Sequence, residues 1–490
     1  MQFIGVDLGS TNIKAAAYDG SFKLINRLSV PVEYDRTDGK VEFDAEEYFG
    51  KLEKLLSELS ASEGFKKEEV AQITFTGQAE TLVVVGSDGH TLMNAISWMD
   101  DRSTEECAQL EKIFDNKTCE AVTGQQAVLP TWPATKILWL KHNMPEIYGA
   151  ADTYMLLKDY IVYRLTGVKK SDMSIATFSF YFDIYQKKYW KEMLDAIGVS
   201  EKQLPELAEP CTVAGTLLPD VAAACGLTEK VKVNIGTLDH FTGMVGTGNV
   251  NLGGVSLSTG TVMALATLAK EPVLNRNCGV AMHYGFRPDT HVMLPVAESG
   301  GVSLEWVRRT CMPDVDYKKL NEVLDSRKHP TDLIFLPYIV GANAPEFDLR
   351  ACGTVYGLRQ ENDAFDMAAA VMEGVAFVLR KNCEHMNANG AAIDHIIATG
   401  GGAKSNCWCQ MQADITGLPV VRPKELEASC LGASIIGAVS EGFFKDYDDA
   451  SAKVVGMDKR FEPRKNPDYE RNYRRFAHLY KAVCETADIE

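Results

Sequence analysis

A phosphate group is held by backbone N–H groups that converge on it, and glycine lets the chain approach without a Cβ in the way. Asp7-Leu8-Gly9-Ser10-Thr11 offers such a turn between two apolar runs, with two hydroxyl donors beside the glycine. Asp7 is placed to hold Mg²⁺ through water, since magnesium keeps several of its waters. An ordinary hairpin turn uses the same residues. A second cluster, Thr399-Gly400-Gly401-Gly402-Ala403-Lys404-Ser405-Asn406, follows the apolar run 393–398 and precedes a helical stretch, 408–416. Three successive glycines exceed what a tight strand–helix turn needs, and the positive end of a helix suits an anionic ligand. Between the two lies Gly236-Thr237-Leu238-Asp239-His240, after the strand-like run 231–235. Phosphoryl transfer to an alcohol needs a group that accepts the hydroxyl proton, and Asp239 is a candidate. Capping a short helix over 241–245 is the other role open to it.

These loops need elements to carry them. Apolar runs at 2–6, 13–18 and 22–30 predict three strands, with Asp19-Gly20 as a turn. Asp44, with Glu47 three residues on, reads as a capping box. Tyr48, Leu52, Leu55, Leu56 and Leu59 then share one helix face. Residues 70–75 form the next strand. A Rossmann start is excluded, because there the first strand leads straight into a helix. The region 130–230 is helix-rich and aromatic. Ser258-Thr259-Gly260-Thr261 repeats the strand–hydroxyl turn–strand pattern of the first loop, which suggests two related lobes facing each other. Residues 466–482 read as a terminal docking helix. At 490 residues the chain is too long for one core.

Other classes fall away. A net charge of -17 argues against a nucleic-acid partner, which usually needs a basic face. The Walker GxxxxGK[ST] loop is absent, as are the protein-kinase elements. The N-terminus does not read as a signal peptide, and no apolar run approaches the roughly 20 residues of a membrane span. Twelve cysteines include no CxxC pair and nine histidines no HExxH or HxH, which argues for reduced packing thiols in a cytoplasmic protein.

In order along nearly the whole chain, these segments resemble the FGGY carbohydrate kinase family of the actin-like ATPase superfamily. Lys136-Ile137-Leu138-Trp139-Leu140, Lys158-Asp159-Tyr160 with Arg164-Leu165-Thr166-Gly167, and Glu373-Gly374-Val375-Ala376-Phe377 are similar to family-typical helices. The resemblance implies an α/β fold of two actin-like, ribonuclease H-like lobes, each a mixed sheet flanked by helices, with an interlobe cleft. It implies a sugar-binding domain over 1–248, a nucleotide-binding domain over 249–450 and a helical extension over 451–490. It further implies ATP and Mg²⁺, with Asp239 as catalytic base and Asp7 and Asp239 facing the metal. Gly9, Ser10, Thr11, Lys14, Gly260, Thr261, Gly401, Gly402, Ala403 and Asn406 fall on the nucleotide side. Gln78, Ala79, Glu80, Trp98, Asp100, Asp239 and His240 fall on the substrate side, with Trp98 or Trp132 as apolar wall.

The family's patterns are followed unevenly. Glu80 matches a glycerol-kinase carboxylate where xylulokinases carry histidine, whereas Trp98-Met99-Asp100-Asp101-Arg102 is closer to a xylulokinase stretch. Two family arginines are missing near Ala342-Asn343 and at Cys352. The expected function is phosphorylation of a small sugar or polyol, with a ketopentose such as xylulose favoured. A tetritol or heptulose kinase and a sugar-binding regulatory pseudokinase are the alternatives, and a homodimer is the ordinary prior.

Overall fold

The computed structural model describes residues 1–270, 280–327, 329–348 and 350–488. Its first sheet is entered by β1 (Gln2–Leu8), β2 (Asn12–Tyr18) and β3 (Leu24–Pro31), an antiparallel meander. α1 (Ala45–Ser60) follows, buried on Tyr48, Leu52, Leu55, Leu56 and Leu59 as its spacing predicts. Asp44 caps it by accepting from the Glu46 and Glu47 amides at 2.8 and 3.2 Å. The expected capping box is only half made, because the Glu47 carboxylate turns to Lys51 at 2.8 Å instead of back to the cap. β4 (Val70–Gly77) lies parallel to β1 and places Thr76 beside Asp7. Two buried helices, α2 (Pro133–Asn143) and α3 (Leu157–Thr166), precede β5 (Val213–Thr216) and β6 (Lys232–Asn234). The sheet order is β5-β6-β4-β1-β2-β3. A short helix, α4 (Asp239–Gly246), leaves the sheet's edge.

The second lobe repeats this start. β7 (Gly254–Thr259) and β8 (Met263–Ala269) form a hairpin, extended by β9 (Met282–Tyr284) and β10 (His291–Met293). α5 (Gly301–Cys311), α6 (Tyr317–Ser326) and the long α7 (Ala364–Ala388) follow. β11 (His395–Thr399) then lies parallel to β7. Asp7 is paired with Lys14 in the first hairpin and Ser258 with Ala264 in the second, so the two turns occupy equivalent places in two related sheets. α8 (Asn406–Thr416), β12 (Val420–Pro423), α9 (Ser429–Ser440), β13 (Met457–Phe461) and α10 (Pro467–Ala487) complete the chain. α10 docks on the second lobe through Tyr469, Asn472 and Phe476, as a terminal helix was expected to. Among the described residues no helix is long and apolar enough to cross a membrane.

α9 ties the lobes together. Although it comes late in the chain, its Cys430, Leu431, Ile435 and Ile436 share a core with Phe3, Ala16 and Phe241. It lies so close to α4 that a Cβ on Gly432 would collide with the Thr242 carbonyl oxygen, and one on Gly246 with that of Ala428. Backbone contact this tight needs glycine on both helices. Gly432→Val should therefore lower stability by about 1–3 kcal/mol through overpacking. Thermal denaturation checks this, and an unchanged Tm would show that the crossing yields freely.

Candidate active site

Three adjoining cavities run along the cleft. The first, about 560 Å³, is lined by Gly9, Ser10, Thr11 and Lys14 from the first turn, by Gln78, Ala79, Glu80 and Trp98, and by Asp7, Asp239 and His240. The second, about 340 Å³, shares Asp7, Lys14, Asp239 and His240 and adds Ser258, Thr399 and Gly400. The third, about 480 Å³, is lined by Thr259, Gly260 and Thr261, by Gly401, Gly402 and Lys404, and by Glu305, Tyr317, Asn321 and Trp408. The sequence-predicted hydroxyl and glycine turns thus meet along one cleft. Gly400 has φ +75°, and a Cβ there would press on the Thr259 backbone, so the two turns of the second lobe approach as closely as glycine allows.

Asp7 ends β1 and Asp239 opens α4. Asp239 is the first helical residue rather than the cap, and its carboxylate accepts the His240 amide at 2.6 Å. Burial first, and the charge of Asp239 second, raise the Asp7 carboxyl to about 7, while Lys14 and the Ser429 hydroxyl oppose the rise. Lys14 reaches across to Glu427 of the second lobe at 3.3 Å. Two half-buried carboxylates of like charge facing one cleft create a demand for a cation.

On the opposite wall Glu80 sits at φ +64°, a conformation that turns its side chain into the cleft mouth at a backbone cost. Burial pushes the Glu80 carboxyl up and the Lys136 ammonium down, each against the other's charge. Gln78 accepts from the Thr81 hydroxyl at 2.8 Å. Its amide nitrogen is buried beside the Tyr34 and Tyr48 hydroxyls. Trp98 is 38% exposed and forms the apolar wall.

Four sequence expectations need correction. Asp100 does not line the cleft: it is fully buried, accepting from the Val41 amide at 2.6 Å and from Arg102 at 2.6 and 2.7 Å. A carboxylate taken out of water needs such partners, so its job is to fold the loop behind Trp98. Trp132 is core, stacked on Phe180 at 5.6 Å with Nε1 bonded to the Ala127 carbonyl. Ala403 is buried, its carbonyl engaged by Arg422 at 2.9 Å, and does not line the third cavity. Asn406 faces a separate surface pocket on the other side of α8. In the region of the absent arginines Lys381 pairs with Glu346 and Arg350 with Asp348.

Sequence reasoning missed Glu305, Tyr317 and Asn321, which close the third cavity from α5 and α6 without any motif; the doublet Gly300-Gly301 was the only local signal. It also missed Phe178 and Glu298 in the first cavity.

Comparison with known proteins agrees with this geometry. Residues 2–246 match the FGGY family of carbohydrate kinases, N-terminal domain, and residues 255–441 its C-terminal domain. The chain belongs to the FGGY family of carbohydrate kinases. It is 27% identical over 490 residues to a xylulose kinase of Bacillus subtilis, covering 99% of this chain and 97% of that one. A ligand-bound xylulose kinase from Lactobacillus acidophilus superposes with TM-score 0.89 at 25% identity, covering 100% of this chain and 98% of that one. A gluconate kinase from the same organism superposes with TM-score 0.90 at 25% identity, covering 99% and 98%. This protein is a carbohydrate kinase, an enzyme that phosphorylates a sugar or polyol.

The two carboxylates on the sugar side separate cleanly. Asp100→Ala should cost about 1–3 kcal/mol by leaving the Val41 amide and part of the Arg102 guanidinium without their buried acceptor, Glu42 remaining paired with Arg102 at 2.6 Å, whereas Glu80→Gln should hold Tm and raise the sugar KM. Calorimetry with steady-state kinetics checks the pair; the reverse assignment would exchange their roles.

Proposed function

We propose that the chain transfers the γ-phosphoryl group of ATP to a hydroxyl of an uncharged sugar, a ketopentose such as xylulose first. The observation that carries this reading is the acidity of the first cavity, where Asp7, Glu80, Asp239 and Glu298 face a single lysine, Lys14. Carboxylates accept hydrogen bonds from several hydroxyls. An aldonate would add a further negative charge there, which argues against gluconate despite the kinship with gluconate kinases. Glu80 favours one second reading, an open-chain polyol such as a tetritol, because it stands where xylulokinases carry histidine and glycerol kinases a carboxylate.

In this reading Asp239 takes the proton of the acceptor hydroxyl as its oxygen attacks the γ-phosphorus. Trp98 packs against the carbon face of the sugar, and Gln78 and Glu80 hold the remaining hydroxyls. The turns at Gly9–Thr11 and Thr259–Thr261 offer amides and hydroxyls to the phosphates, and Gly401 and Gly402 border the nucleoside. Asp7, with Asp239 beside it, suits Mg²⁺, since burial and like charge leave its carboxyl raised until a cation arrives. Bound magnesium supplies charge neutralisation at the β- and γ-phosphates. Closing of the lobes excludes water that would otherwise compete with the sugar.

A coupled ADP-release screen tests the substrate assignment. With Mg·ATP saturating, turnover is expected on xylulose or another uncharged ketose or polyol, and none above the sugar-free rate on gluconate. Turnover confined to gluconate would overturn the charge argument. Sugar-independent ATP hydrolysis with no acceptor response would overturn the kinase reading for this cleft.

A further inference from the structure

The mechanism uses neither of two fully buried lysines, Lys136 on α2 and Lys158 on α3. Neither lines the cleft cavities, yet each spends its amine on the loops that do. Lys136 Nζ donates to the Glu80 carbonyl at 3.0 Å and the Ser97 carbonyl at 2.8 Å. Those carbonyls belong to the turn that presents Glu80 and to the residue before Trp98. A hydroxyl relay joins the same two segments: Thr81 Oγ1 accepts the Trp98 amide at 3.2 Å and donates to Gln78 at 2.8 Å. One ammonium therefore fixes the relation of Gln78, Glu80 and Trp98.

Lys158 acts on the other wall. Its Nζ donates to the Ile235 carbonyl at 2.6 Å and pairs with the buried Asp172. Asp172 accepts from the Ser174 and Ile175 amides and from the Ser174 hydroxyl. Ser174 Oγ lies 2.7 Å from Thr237 Oγ1, and the Thr237 carbonyl accepts from Thr76 at 2.8 Å. The loop from Ile235 to Leu238 is thus held on several sides immediately before Asp239. A buried charge is retained only against a desolvation cost, and here both charges are met by hydrogen bonds to backbone that has left the sheet ladder.

We infer that Lys136 and Lys158 are positioning residues with separate tasks, Lys136 setting the sugar-binding wall and Lys158 setting the orientation of Asp239. The division follows from which loop each amine grips, and it rests on the reading of Asp239 as the proton acceptor. An error of about 1 Å in the position of a reacting group costs about 10²-fold in rate. Slack in a wall that binds substrate and transition state alike appears in KM.

The test is steady-state kinetics of Lys136→Met and Lys158→Met on the acceptor that the parent enzyme turns over best, with Tm measured for each. Lys136→Met is expected to raise the sugar KM about tenfold with kcat within about threefold. Lys158→Met is expected to lower kcat about 10²-fold with sugar and ATP KM within about threefold. Should either fold poorly, Thr81→Val replaces the first and Thr237→Val the second, with the same split. Parental kinetics in folded variants, or kcat and KM moved together by both, would overturn the division and leave both lysines as mere core struts. Failure of the parent to phosphorylate any uncharged acceptor would instead remove the reading of Asp239, and is seen before any lysine variant is made.

Discussion

The electrostatic constraint on this cleft is the meeting of two like charges. Asp7 comes from the end of β1 and Asp239 from the first turn of α4, and the half-buried Asp7 carboxyl is raised to about 7 by desolvation and by its neighbour. Left alone, such a pair is unfavourable. It becomes useful when a divalent cation and a polyphosphate enter between loops that offer amides and hydroxyls, and when a sugar hydroxyl arrives with a proton to lose. The surrounding architecture can be understood as the means of holding that pair in place: the paired hairpin turns, the glycine contact at Gly400, and Lys14 reaching across to Glu427.

Holding it also couples lobe geometry to chemistry. Asp239 opens a short helix whose far end touches α9 backbone to backbone at Gly246 and Gly432. α9 in turn packs on the first sheet, where a Cβ on Gly5 would collide with the Cys430 carbonyl. α4, α9 and the first sheet are therefore packed together as one unit that carries Asp239. Behind the site, buried lysines and the Asp100–Arg102 pair are hydrogen-bonded to loop backbone.

Much of this was legible in the sequence where the signal is local. The strand–turn–strand hairpins at Gly9–Thr11 and Gly260–Thr261, the α1 face and its Asp44 cap are set by neighbours within a few residues, and the structure has them where they were expected. What sequence could not give was direction in space. Asp100 and Glu80 look equally fit to meet a sugar, but Arg102 captures the first while a left-handed backbone turns the second to the cleft. Trp132 and Trp98 are alike in kind, and only the Phe180 stack makes one of them core. The far wall of the nucleotide cavity comes from helices without a motif, so Tyr317 and Asn321 gave no warning. Lys136 and Lys158 showed only as parts of familiar helices, because a lysine in a sequence does not announce that it is buried.

Kinship with xylulose, gluconate and glycerol kinases bounds the chemistry, and the proposed substrate class rests on the acidity of the first cavity. The central claim is that Asp239 removes the acceptor proton during transfer. Single-turnover transfer of labelled phosphate from ATP to a saturating uncharged acceptor, in the parent and in Asp239→Asn, tests it most directly. The account predicts retained ATP binding with the transfer rate lowered about 10²–10⁴-fold; transfer at the parental rate would contradict it.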